Sequence, residues 1–561
     1  MTQRREITSG LGVSAGFASG PAFIVQRAPG VDPNETPSTD PQADGQRVRE
    51  AMASVSRALY TRAESAPESA REVMYATADL AKDKALAKAV DKELNKGRGI
   101  TAAVSHAVSG YAAMLEQLGG YMAERVTDLF DVRDRLICEL RGLPAPGVGQ
   151  ISKPSILIAY DLSPAETAVL DLTKVLGIVT ELGGPTSHTA ILCAQLGIPA
   201  VVRVAGACEI EADSPVAVDG SRGTVIVAPE ADELAQMEQR AQLRQELLAN
   251  SHGPGQTKDG HNVKLLANIG SAADAIAAGK TDVEGCGLFR TEFLFLDRLD
   301  APTYEEQLDT YTKVFTAFSG RRVVVRTLDA GADKPLKFAD LGPEENPALG
   351  IRGLRLSRVR QDLLDVQLKA LADAAAATNA DMWVMAPMVA TQPEAHWFAE
   401  RCEEAGIKTV GIMIEVPAAA IHAEMLLTPL SFASIGTNDL AQYTMAADRM
   451  QGELAELNSV WQPAVLHLIS LACSGAQTSN SHIGICGEAA GDPLLALVLT
   501  GLGIQSLSMA PKRIAAVRQS LAQVDLETCR ELSRLALFAP DVDTAREAVL
   551  AAVPESVLAL L

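Results

Sequence analysis

Long apolar runs are missing from this chain of 561 residues, and with them any segment able to span a bilayer. Arg4 and Arg5 stand near the start with no apolar stretch behind them, so no secretory leader is expected there. The 8 cysteines are scattered and form no Cys-x-x-Cys pair. This excludes a zinc or disulfide framework and points to a reducing, cytoplasmic setting. Aromatics make up only 4%. Basic residues are outnumbered, 49 against 70 acidic, for a net charge of -21. Phosphate backbones draw basic surfaces, so nucleic acid is excluded as the main partner and a basic protein suits the charge better. What remains, 47% hydrophobic and 21% charged residues, is ordinary globular composition. The length predicts two or three domains.

Glycine-broken strands are expected over residues 7–26 and a Pro/Asp/Thr-rich loop over 29–44. From Gln46 to Leu143 glycines thin out and apolar residues recur at spacings of three and four, which predicts a block of helices. Four β-branched runs follow: Ser155–Ala159, Leu176–Thr180, Ala200–Val204 and Thr224–Val227. They make an α/β unit interrupted near its start by the helical block. Residues 230–250 read as a charged helix, and Ser251-His-Gly-Pro-Gly255 as a hinge. Eight more strand-like runs follow: Val263–Ile269, Gly287–Phe295, Arg322–Leu328, Met382–Met388, Val410–Val416, Phe432–Thr437, Ile483–Cys486 and Ile504–Met509. Eight strands in about 300 residues fit a (β/α)8 barrel. An open α/β sheet stays possible from the count alone. Polar and charged residues at the strand ends (Asn268, Arg290, Arg326, Glu415, Asn438, Asp439, Cys486, Ser508) favour the barrel, whose catalytic groups gather there.

Gly183-Gly-Pro-Thr-Ser-His-Thr189 follows a strand and opens a helix. Its glycines, hydroxyls and terminal amides can hold an anion, and neutral imidazole is a nucleophile toward phosphorus near pH 7. His188 is therefore a candidate nucleophile; otherwise it is a polar helix start. His106, His396, His422 and His467 lie in helical patterns and read as surface or packing residues. Arg290 and Arg326 end adjacent strands and suit carboxylate or phosphate, with Arg352, Arg355 and Arg449 as possible additions to the clamp. Glu415 and Asp439 could hold Mg²⁺ against a bound phosphate or act as a general acid and base. Cys486, among small residues in Ile483-Gly-Ile-Cys-Gly-Glu488, is a packing residue or a proton donor.

Several of these runs are specific together: Gly-Gly-x-Thr-Ser-His-Thr, Glu284-Gly-Cys-Gly-Leu-Phe-Arg-Thr-Glu-Phe-Leu-Phe, Asn346-Pro-x-Leu-Gly-x-Arg352, Ser434-Ile-Gly-Thr-Asn-Asp-Leu-x-Gln-Tyr443 and Cys486-Gly-Glu. In these the chain resembles Enzyme I of the bacterial phosphoenolpyruvate-dependent sugar phosphotransferase system, from Ser9 to about Ser508. The resemblance implies an α/β phosphohistidine domain (1–30 and 146–229), a helical subdomain (31–145) that docks the phosphocarrier HPr, a linker (230–260), and a phosphoenolpyruvate-binding barrel (261–561) that forms a homodimer. It implies phosphorylation of His188 with release of pyruvate, then transfer to HPr. Arg290, Arg326 and Arg449 would hold substrate with Asn438 beside the phosphate, and Arg352 and Arg355 nearby. Glu415 and Asp439 would bind Mg²⁺, Cys486 would protonate the enolate, and Thr186 would lie against the phosphohistidine. His188 would have to leave the barrel to meet HPr, which predicts a swivel at about 230–255.

Three positions depart from the family's pattern. Pro185 replaces Arg, Cys193-Ala194 replace Ala-Arg, and Met450-Gln451 replace Gly-Asn. A pyruvate-phosphate dikinase or phosphoenolpyruvate synthase would need an ATP-binding domain, for which the chain has no room and no Gly-rich nucleotide loop. A nitrogen-regulatory relative would carry an added N-terminal sensory domain. A non-catalytic binding regulator is disfavoured by the intact set His188, Arg290, Glu415, Asp439 and Cys486.

Overall fold

The computed structural model describes residues 5–561 except 8–9, 26–29, 32–34, 65–74, 76, 119–125, 144–145, 147–150, 163–169, 172, 185–186, 297, 332–335, 340–341, 343, 450, 452–453 and 455. The chain divides into two compact units, Met1–Ala241 and Gln242–Leu561.

Among the described residues, the first unit holds a mixed sheet of eight strands. They are β1 (Arg5–Ile7), β2 (Leu11–Ser14), β3 (Phe17–Ile24), β4 (Ser155–Ala159), β5 (Val175–Thr180), β6 (Ala200–Val202), β7 (Pro215–Asp219) and β8 (Thr224–Val227). Their spatial order is β1-β8-β7-β3-β4-β5-β6-β2. The run from β3 to β6 is parallel, and β-branched residues buried on it (Ile156, Ile158, Val179, Val201) supply the core. The 29–44 loop expectation is cut short at its end. A helix starts at Pro41, and the Asp40 carboxylate caps it, accepting from the N–H groups of Gln42 and Ala43 at 3.1 and 3.0 Å. β7 was not expected from sequence: it is short and begins on a proline.

The helical block lies between β3 and β4, with helices Pro41–Glu64, Lys84–Leu94, Ile100–Leu118 and Val126–Leu140. Val48, Leu86, Leu94, Val104, Leu129 and Leu136 form its own core. Glu35 ties the preceding loop to it. Its carboxylate accepts from the Thr101 and Ala102 N–H groups, at 2.8 and 3.1 Å, at the start of Ile100–Leu118.

In the second unit, β9 (Lys264–Ile269), β10 (Gly285–Arg290), β11 (Arg322–Arg326), β12 (Asp381–Ala386), β13 (Val410–Ile414), β14 (Phe432–Gly436), β15 (His482–Cys486) and β16 (Ser506–Met509) close into a barrel, β16 pairing with β9. Every pairing is parallel. This is the (β/α)8 architecture expected, and the open sheet is excluded. Leu288, Val324, Met385, Met413 and Phe432 fill the interior. At the strand-start end Arg322 lies 3.4 Å over the Trp383 ring. Several strand expectations ran long: β6, β12, β13 and β14 end at Val202, Ala386, Ile414 and Gly436, short of the expected Val204, Met388, Val416 and Thr437. Thr291–Leu294, read as a continuation of β10, is a 3-10 turn, and Thr327 and Leu328 lie beyond the end of β11. Among the described residues no helix is long and apolar enough to cross a membrane.

The helix Ala231–Ala249 spans the boundary between the units. Its Leu234 and Met237 pack with Ala217 and Ile226 of the first unit's sheet. Arg244 Nη1 donates to the carbonyl of Leu561 at 3.0 Å in the second unit. Just beyond, Ser251 Oγ donates to Ala515 O at 3.0 Å and the Lys258 N–H to Val524 O at 2.8 Å.

Candidate active site

The C-terminal ends of the barrel strands surround a cavity of about 350 Å³. Arg290 ends β10, Arg326 ends β11 and Cys486 ends β15, while Glu415 is the first residue past β13. Asn438 and Asp439 sit in the first turn of the helix Thr437–Met445, which follows β14 without a loop. With Arg449 all of them line the cavity. Thus seven of the barrel residues singled out from sequence meet at one site. Gly487, at φ +135°, lets the β15 end pass so close to the Thr437 hydroxyl that a Cβ would stand 2.6 Å from it.

Alternating charges link the walls. Arg326 donates to Glu292, both buried. Arg326 also lies 3.2 Å from Asp329, and Arg352 bridges Asp329 and Asp439 at 3.2 and 3.1 Å. Arg449 is 3.6 Å from the other Asp439 oxygen. Arg352 is almost fully buried and lies behind the wall; its role here is to fix Asp439. Arg355 turns away from the cavity and donates to the carbonyls of Leu349 and Gly350, each at 3.0 Å. Tyr443 OH donates to Ala348 O, so the Asn346–Gly350 segment is held from both sides. Sequence reasoning assigned no role to Glu292 or Asp329. Their signal was an acidic residue two or three positions after each strand-end arginine.

Glu415 accepts from the Met388 N–H at 2.6 Å through one oxygen, while its other oxygen is buried without a hydrogen-bond partner. Met388 holds a left-handed φ of 58° to make that bond. Burial, then the charges of Asp439 and Asp329, push the Glu415 carboxyl up to about 8. An orphaned oxygen beside a second carboxylate suits a divalent cation. No group of three or more His, Cys, Asp or Glu placed to hold a metal occurs among the described residues, so remaining ligands would be substrate and water oxygens. Cys486 is buried; its Sγ donates to Ile435 O at 3.6 Å, and burial raises its pKa. It is a protonated thiol at neutral pH, facing the cavity.

In the first unit, His188 is the first residue of the helix His188–Leu196. Ser187 caps that helix, its Oγ accepting from the Ala190 N–H at 3.2 Å. Thr189 Oγ1 donates to Leu162 O at 3.2 Å. Thr186, and the departures at Pro185 and Met450, lie outside the described residues. Cys193 is buried, its thiol pushed up to about 12, so the departure there is a packing residue. His106, His396, His422 and His467 are exposed.

Residues 244–526 match the family described as PEP-utilising enzyme, PEP-binding domain. Residues 151–223 match the mobile domain of such enzymes and 9–125 their N-terminal domain. Over 542 residues the chain is 47% identical to the phosphoenolpyruvate-protein phosphotransferase of Streptomyces coelicolor, covering 96% of this chain and 98% of the relative. The chain belongs to the phosphoenolpyruvate-protein phosphotransferase family. Relatives of that name in Haloferax volcanii and Bacillus subtilis are 38% and 35% identical. They cover 96% and 92% of this chain, and 98% and 94% of their own lengths. The chain is thus an enzyme of phosphoenolpyruvate-dependent phosphoryl transfer, and the barrel cavity lies wholly within the segment matched to phosphoenolpyruvate binding.

Proposed function

We propose that His188 takes the phosphoryl group of phosphoenolpyruvate bound in the barrel cavity and passes it to a histidine of an HPr-type phosphocarrier docked on the helical block. One observation carries the barrel half of this reading. Arginines, paired carboxylates, an amide and a protonated thiol converge on one cavity at the strand ends. Arg290, Arg326 and Arg449 hold the carboxylate and phosphate, with Asn438 against the phosphate. Glu292 and Asp329 fix the Arg326 fork, and Arg352 does the same for Asp439.

Glu415 and Asp439 would hold Mg²⁺, which supplies charge neutralisation for the transferring phosphoryl group. The need is physical. Glu415 carries a buried oxygen without a partner beside the Asp439 carboxylate, and with both charged they would repel a polyanionic ligand unless a cation stood between. As the donor P–O bond breaks, its electron pair stays with the enolate oxygen. The Cys486 thiol, held protonated by burial, delivers a proton to the enolate carbon and yields pyruvate. Arg355 supports the Asn346–Gly350 segment. Thr186 would lie beside the phosphohistidine. The domain roles are those expected above: phosphohistidine unit at 1–30 and 146–229, HPr-docking helices at 31–145, linker at 230–260, and a homodimeric barrel at 261–561, in the cytoplasm.

Incubation with ³²P-labelled phosphoenolpyruvate and Mg²⁺ tests this. Acid-labile, alkali-stable label lost in His188→Ala, with pyruvate release, is the expected result. Label that persists in His188→Ala would overturn the assignment.

A further inference from the structure

The barrel interior is lopsided. Leu288, Val324, Met385 and Met413 fill the side made by β10–β13. On β14–β16 the inward positions are mostly small and polar. Parallel pairing sets Ser434, Gly484 and Ser506 side by side in one layer, and Gly436, Cys486 and Ser508 side by side in the next. One layer further toward the strand starts, Phe432 pairs with His482. Side chains alternate along a strand, so His482, Gly484 and Cys486 share the inward face of β15. A second cavity, of about 10 Å³, lies among Ser434, Ser506, Ser508, His482 and Arg322. That is room for one water, among polar groups enough to hold it. Two glycines keep it open. A Cβ on Gly287 would stand 2.4 Å from Ser508 Oγ, and one on Gly484 2.3 Å from Ser506 Oγ.

The two ends of this column differ. At the upper end the Ser434 hydroxyl donates to the Cys486 sulfur, and Cys486 itself lines the substrate cavity. At the lower end His482 Nε2 meets Ser506 Oγ at 3.1 Å, and His482, Arg322 and Trp383 are only half-buried, so the column reaches the surface there. Arg322 keeps a buried Nε without a hydrogen-bond partner beside the same cavity. Alanine would fill these positions with no polar group to desolvate, whereas a buried hydroxyl needs a partner. Hydroxyls stacked beneath a buried thiol form a chain of exchangeable protons. Such a chain has a use. The Cys486 proton is spent in every turnover, and a bound substrate covers the sulfur from above.

We propose that Cys486 regains its proton from the strand-start end of the barrel, through Ser434 and water held in the lower cavity. The proposal rests on the reading of Cys486 as the proton donor. As the S–H bond breaks and the enolate C–H bond forms, a thiolate remains. Ser434 gives its hydroxyl proton to the sulfur and takes one from the water. Solvent replaces that proton past His482. The serine ends neutral, one proton has moved from solvent to sulfur, and nothing is oxidised or reduced.

The test holds the full chain in D₂O with phosphoenolpyruvate, ¹³C-labelled pyruvate and Mg²⁺. NMR reads carbon label passing into phosphoenolpyruvate, and deuterium entering the pyruvate methyl group. Carbon exchange requires the cavity to empty. A thiol refreshed from below takes up deuterium while the cavity is still occupied, so wild type should deuterate faster than it exchanges carbon. Ser434→Val should lose that excess, the two rates becoming equal. Ser434→Thr has the shape of valine with a hydroxyl and should keep it. A wild-type excess in Ser434→Val would overturn the relay, and so would a loss shared equally by valine and threonine, which marks an effect of bulk. If valine lowers the melting temperature, Ser434→Ala is read in the same way, with the same two outcomes. Deuteration that continues in Cys486→Ala would remove the donor reading and the relay together. Deuteration abolished in Cys486→Ala but unaltered in Ser434→Val would remove the relay alone.

Discussion

Replacing Glu415 with Gln should make the barrel more stable while ending its catalysis. The carboxyl is buried, one oxygen has no partner, and its pKa lies at about 8 against an ordinary 4.5. A carboxyl whose pKa rises on folding contributes fully below about 4.5 and destabilises progressively as pH climbs toward 8. At 1.36 kcal/mol per decade, forcing the charge costs about 5 kcal/mol when complete and about 3 kcal/mol at pH 7. Glutamine is never charged, and its carbonyl can still accept the Met388 N–H. The chain's 3 tryptophans, Trp383, Trp397 and Trp461, all lie in the barrel unit, so their fluorescence follows that unit's unfolding in urea. Without Mg²⁺, wild type should lose about 3 kcal/mol relative to Glu415→Gln between pH 5 and pH 8. Mg²⁺ should then raise wild-type stability and leave the variant unmoved. Parallel pH curves for the two proteins would refute the argument that burial and Asp439 oppose this charge.

Cys486→Ala should bind phosphoenolpyruvate but form pyruvate about 10²- to 10⁴-fold more slowly, and lose exchange of pyruvate methyl hydrogens with D₂O; undiminished exchange speaks against the thiol as donor. Arg352→Met leaves Asp329 and Asp439 without their shared partner and should cost about 3–5 kcal/mol of barrel stability; a loss below about 1 kcal/mol in urea unfolding would show that the bridge matters little. His482 lies between Arg322 Nη1 at 3.3 Å and Ser506 Oγ at 3.1 Å, and its pKa is pushed down to about 4, by burial first and then by Arg322 and Lys264. Its depressed pKa means that stability is lost as pH falls from 6.5 toward 4. Wild type should therefore fall by up to about 3 kcal/mol relative to His482→Gln over that window, and equal acid sensitivity would contradict it. A Cβ on Gly501 would stand 2.0 Å from the Cys529 carbonyl oxygen, so Gly501→Ala should cost about 1–3 kcal/mol, read as a lower melting temperature.

The barrel was legible because buried parallel strands carry dense β-branched runs, as in Arg322–Arg326, and because strand ends bearing Arg, Glu or Cys have few other reasons to exist. Boundaries were less so. Thr327 and Leu328 are as compatible with a strand as Val325; the Thr327 N–H still reaches Met385 O at 3.0 Å, and only at Leu328, whose N–H donates to Gln367 Oε1, has the chain left β12. β7 escaped notice because its partners, β3 and β8, include one almost 200 residues away in sequence. Arg290 and Arg326 could be picked out by position, yet Glu292 could not: a 3-10 turn after β10 brings it back against Arg326. Arg355 shows the converse, a basic residue in a specific motif whose bonds go to backbone carbonyls.

The helix Ala231–Ala249 is fastened near both ends, by Leu234 and Met237 on the sheet of the first unit and by Arg244 on the last residue of the second. Ser251 and Lys258, further along the chain, are bonded within the barrel unit as well. If the swivel that the resemblance implies takes place, the stretch from Met237 to Arg244 is where the helix has neither anchorage, and melting it would cost roughly 1 kcal/mol for each hydrogen bond given up. Carrier phosphorylation would in that case answer to substitutions in a helix far from the atoms that react.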